Sequence, residues 1–158
     1  MFFAWVDKSE ILKEALLRLT SDAQPIWGRM DAQQMIEHLI VVFELSSDDK
    51  STPILTPDKH IEKSQAFLMS DKPMPQNFIA KFLPKDPSAY RFVSIDIAIQ
   101  ELIHSIKTYH PYWLGKEEST LNHPIFGALN KKMWDQVYNK QKQIDSNRRM
   151  KTYYRNRY

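Results

Sequence analysis

Apolar residues recur at intervals of three and four in four stretches of the chain, and each stretch opens on residues that can cap a helix. In the first, Asp7 and Glu10 stand three apart as a capping box requires. Leu12, Ala15, Leu16 and Leu19 then follow along one face, which predicts a helix ending near Ser21. Gln24-Pro25 breaks it. Asp31 and Gln34 repeat the capping pattern, Met30 can staple onto Met35, and Met35, Ile36, Leu39, Ile40, Val42 and Phe43 predict a second helix to about Leu45. In the third stretch Ser94 precedes a stripe of Ile95, Ile99, Leu102, Ile103 and Ile106, with His110-Pro111 as its expected end. The fourth opens at Asn130, where Leu129 and Trp134 can form a staple and Met133, Trp134, Val137 and Ile144 carry the inward face.

The interval between the second and third helices is of another kind. Residues 46 to 92 hold Pro53, Pro57, Pro73, Pro75, Pro84 and Pro87, leaving room only for a short helix from Asp58 to Leu68. So long a stretch without a major element reads as a crossover laid over the other helices. Alternating strand patterns and Asn-Gly hairpin signals are missing, although Ala89 to Val93 can extend for a few residues. The expectation is an all-α protein, a four-helix bundle with a long Pro-rich crossover between helices 2 and 3. Residues 1 to 150 then form one domain and residues 151 to 158 a basic tail.

Composition narrows the chemistry. The chain has 158 residues, 42% of them apolar and 26% charged, which suits one globular core. It has no Cys, which excludes a thiol nucleophile, a Cys-ligated metal and a redox dithiol. Its three glycines, Gly28, Gly115 and Gly127, cannot build a phosphate loop or a dinucleotide fingerprint. The longest apolar run, Met1 to Val6, stops at Asp7 without a basic flank, so neither a signal peptide nor a membrane span is expected and the protein reads as cytoplasmic. Charge is uneven: residues 139 to 158 carry seven of the 22 Lys+Arg and one of the 19 Asp+Glu. Arg148, Arg149, Lys151, Arg155 and Arg157 alternate there with Tyr153, Tyr154 and Tyr158, a pattern that could neutralise phosphates and stack on bases. Cations after a helix equally complement its macrodipole, and a solvated end is the favoured reading over nucleic-acid binding.

Among residues with chemistry to offer, His38 comes first. It lies three after Met35 and four before Val42, which places its imidazole on the apolar side of the second helix, as a core histidine or as a ligand. Glu37 points about 100° away and is expected in solvent. On the fourth helix Gln143 and Asn147 are four apart, at the edge of the stripe of Met133, Val137 and Ile144, either as surface amides or facing a cavity. His104 is expected in solvent, and His60 and His110 show no convergent partners. In His123-Pro124-Ile125-Phe126-Gly127, Pro and Gly fix a turn from which Phe126 can plug the end of the bundle.

Three runs carry a resemblance: 27 to 39 (WGRMDAQQMIEHL), 68 to 75 (LMSDKPMP), and 123 to 129 (HPIFGAL) with Trp134. Their ordered combination resembles the DinB/YfiT-like superfamily, and within it a bacterial branch of unknown function, over residues 1 to 150. The resemblance implies a four-helix bundle in which a divalent metal is commonly held by three histidines, one from helix 2 and two from an H-x-x-x-H pair on helix 4. Some relatives are similar to metal-dependent transferases that act with bacillithiol, glutathione or mycothiol. Carried over, His38 matches the helix 2 ligand, and the helix 4 pair falls on Gln143 and Asn147. Neutral amides are poor ligands for nickel or zinc, so the expected cofactor is none or a weakly bound divalent metal, nickel or zinc.

Three functions follow as expectations. The first is a bundle with a degenerate metal site at His38, Gln143 and Asn147 that binds a small-molecule ligand or is non-catalytic, as a monomer or a homodimer. The second is a metal-dependent hydrolase or thiol S-transferase that keeps a weak divalent-metal site. The third is nucleic-acid binding through the basic tail.

Overall fold

The computed structural model describes residues 14, 16–21, 23, 29–48, 51–75 and 86–140. Helices make up most of what it describes. In order these are α1 (Ala32–Ser46), α2 (Asp58–Met69), α3 (Ile95–Trp113), a two-stranded hairpin of β1 (Leu121–His123) and β2 (Gly127–Leu129), and α4, helical from 131 to 140. The start of the first expected helix lies outside the described residues. Residues 16 and 17 are helical and 18 to 21 are not, so it ends short of Ser21, while Leu16 is 1% exposed in the core.

The expected caps set the helix starts. Asp31 accepts from Gln34 N at 2.9 Å, and the Gln34 side chain accepts from Asp31 N at 3.1 Å, which closes the capping box of α1. Ser94 Oγ accepts from Ile97 N at 3.4 Å, and Asn130 Oδ1 accepts from Met133 N at 3.0 Å. Pro57 precedes α2, which occupies the place expected for the one helix of the crossover.

The end of α3 departs from expectation. Pro111 lies inside the helix, which continues to Trp113. A proline removes one backbone donor and strains the turn before it. Here a tertiary anchor outweighs that cost: Trp113 is 1% exposed, and its Nε1 donates to Ser46 O at 2.8 Å, supplying a donor to a carbonyl at the C-terminal end of α1. Ser46 Oγ donates to Phe43 O at 3.0 Å and is also hydrogen-bonded to the Tyr138 hydroxyl. The Tyr138 ring stacks on Phe43 at 4.3 Å, and Tyr109 meets both rings edge-on. α1, α3 and α4 are thereby joined at one end around a buried polar knot whose groups are satisfied.

α1 and α3 form the main helix pair. Ile36, Ile40 and Phe43 from α1 meet Ile99, Leu102 and Ile106 from α3 in the core, together with Leu68, Leu129 and Trp134. α2 is tied in by polar contacts as well. Lys140, buried on α4, donates to the carbonyls of Ser70 and Lys72 just past the end of α2, and lies 4.8 Å from the Phe67 ring. Burial lowers its pKa.

The hairpin corrects the all-α expectation. Its register pairs Leu121 with Leu129, Asn122 with Ala128 and His123 with Gly127. Strands of three residues are too short to show an alternating pattern, so only the turn was legible. Contacts from the crossover hold the hairpin in place. Leu55 N and Thr56 N donate to Pro124 O, Asn122 Nδ2 donates to Thr52 O, and Gln65 Nε2 donates to Phe126 O and Ala128 O. Ala89 to Val93 forms no strand.

Gly127 closes the hairpin at φ +76°, where an added Cβ would meet Ile61 Cγ2 at 3.0 Å; Gly115 has φ +73° and open space around it. A left-handed backbone costs a non-glycine residue on the order of 1–2 kcal/mol, and crowding adds about 1 kcal/mol more. Gly127→Ala should therefore lower the melting temperature several degrees further than Gly115→Ala. Equal losses in the two variants would show that α2 does not press on the hairpin there.

Candidate functional site

His38 sits in the middle of α1, on its exposed side, which corrects the expectation of an apolar position. The buried residues of α1 include Met35, Ile36, Glu37, Ile40, Val42 and Phe43. At about 100° per residue their arc is centred near Ile36 and Phe43, with Val42 at one edge and His38 about 40° beyond it. Met35 and Val42, whose spacing to His38 suggested burial, mark the margin of the stripe and not its middle.

The opposite margin holds a residue expected in solvent. Glu37 is 5% exposed, because residues 88 to 92 run against that flank of α1. Its Oε2 accepts from Arg91 N at 2.8 Å, and its Oε1 accepts from Phe92 N at 3.2 Å and from Gln33 Nε2 at 2.9 Å. Gln33 Nε2 also donates to Phe92 O at 2.8 Å. Further along, the Arg91 guanidinium makes a two-point contact with Glu44 at 2.8 and 3.0 Å, and the Tyr90 hydroxyl donates to Asp31 Oδ2. One helix face therefore binds an irregular segment through side chains, and the Glu37 carboxylate supplies acceptors for two backbone N–H groups that have no strand partner.

His123, at the end of β1, packs between the Phe126 ring at 4.8 Å and the Trp134 ring at 5.3 Å. Its Nδ1 accepts from Ile125 N at 3.0 Å and Phe126 N at 3.3 Å, so the imidazole caps the turn of the hairpin, in keeping with the structural role expected of it. With Nδ1 committed as an acceptor, the neutral ring carries its proton on Nε2. Burial pushes the His123 pKa down to about 4, and the His38 imidazole nearby adds to the effect. β1 packs against α1, and this contact brings His38 near enough to His123 to lower the His123 pKa further. Sequence reasoning did not pair them, since nothing local connects residues so far apart in the chain. Below the hairpin Trp134 is fully buried, and its Nε1 has no hydrogen-bond partner among the described residues.

Of the three expected site residues, only His38 falls within the described residues; Gln143 and Asn147 lie outside them, as does the basic tail. His60 and His104 are exposed and His110 is half-buried. Among the described residues no group of three or more His, Asp or Glu side chains could hold a metal ion. Comparison of the chain with protein-family models, with curated proteins and with solved structures finds no match in any of the three.

The donor chemistry can be judged on the side chains themselves. His38 offers one imidazole. His123 could offer Nε2 only by moving its proton to Nδ1, which would turn that atom's two hydrogen bonds into a clash of N–H against N–H. Among the described residues, one imidazole beside a second that is committed to a turn does not make a tightly held nickel or zinc site. Among the described residues no helix is long and apolar enough to cross a membrane.

Proposed function

We propose that this chain is a DinB-like four-helix bundle whose ancestral metal site, at His38, Gln143 and Asn147, has become a binding site for a small molecule and no longer retains a transition metal tightly. The observation that carries the reading is the state of the two imidazoles. His38 is exposed at the margin of α1, beside a buried His123 whose Nδ1 is already spent on the hairpin turn. Of the runs that carry the resemblance, 27 to 39, 68 to 75 and 123 to 129, the described residues include the cap and first half of α1, the last two residues of α2 with the segment after it, and the hairpin. The hairpin packs against both α1 and α2.

A single imidazole with amide partners leaves the site without the Lewis acid that a metal-dependent hydrolase or thiol transferase needs to polarise water or a thiol. What such a site would keep is an imidazole and two amides able to orient a ligand by hydrogen bonds. The test is metal content by elemental analysis after purification without a histidine tag. Nickel and zinc well below one ion per chain are expected, in the wild type and in His38→Ala alike. A stoichiometric metal that disappears in His38→Ala would overturn the reading in favour of a working metal centre.

A further inference from the structure

We draw no further inference here: the strongest candidate, the exposed apolar surface of Tyr90, Val93 and Ile97 around the start of α3, carries nothing because nothing in the structure shows what covers it.

Discussion

Folding stability should fall by about 3 kcal/mol as the pH drops from about 6.5 to about 4, on account of His123 alone. The unfolded imidazole takes up a proton near its ordinary pKa of about 6.5, whereas burial beside Phe126 and Trp134 holds the folded one to about 4. Between those values the unfolded chain binds more protons, so stability rises with pH. The contribution is complete above the unfolded pKa and is lost as pH falls through the folded one. About 2 kcal/mol of it should be gone by about pH 5, before most carboxylates titrate. Denaturant unfolding across this range measures the slope, and His123→Asn supplies the control. An asparagine oxygen can replace Nδ1 as the acceptor of the turn, as in an Asx turn, while the titrating ring is removed. The variant should be less stable at neutral pH and flatter between about pH 6.5 and 5. A slope that survives the substitution would place the titration elsewhere.

Removing the Glu37 carboxylate should cost about as much. Glu37→Ala strips the acceptor from the N–H groups of Arg91 and Phe92 and one acceptor from Gln33. Hydrogen bonds to a charged group are worth about 1.5–3 kcal/mol each, and with two of the three only part-buried a loss of about 3 to 4 kcal/mol is expected, or roughly a 10 °C fall in melting temperature. Glu37→Gln keeps one carbonyl oxygen and should fall between Ala and the wild type. Glu44→Ala removes only the exposed pair with Arg91 and should cost less than about 1 kcal/mol. If Glu37→Ala and Glu44→Ala were equally mild, residues 88 to 92 would not depend on the buried carboxylate.

Sequence reading succeeded where the signal was local. The Asp31–Gln34 box, Ser94 and Asn130 each act within three residues of themselves, so composition at a helix start was enough to predict the bonds formed. The short helix of the crossover was legible because prolines bound it. Errors arose where a partner far along the chain decides the outcome. Glu37 is buried by a segment some 54 positions away, and α3 passes Pro111 because Trp113 reaches Ser46. The hairpin owes its form to a histidine side chain and to α2 as much as to its own six strand residues. The spacing of His38 to Met35 and Val42 suggested an apolar position, but those two residues mark the margin of the stripe and His38 is exposed. Its neighbour His123 was recognisable only as part of a turn.

Restoring the ligands tests most directly whether His38, Gln143 and Asn147 descend from one metal site, as proposed above. Gln143→His combined with Asn147→His would put two imidazoles one helical turn apart. If they face His38, calorimetric titration should show weak nickel or zinc binding in the wild type and a gain of several kcal/mol in the double variant. That gain should stay below the roughly 10–16 kcal/mol of complete structural zinc sites. It should shrink as pH falls below about 6.5, where free imidazole becomes protonated. It should vanish when His38→Ala is added. Equal metal affinity in wild type and double variant, or a gain that persists without His38, would contradict the account and show that these three residues never formed one site.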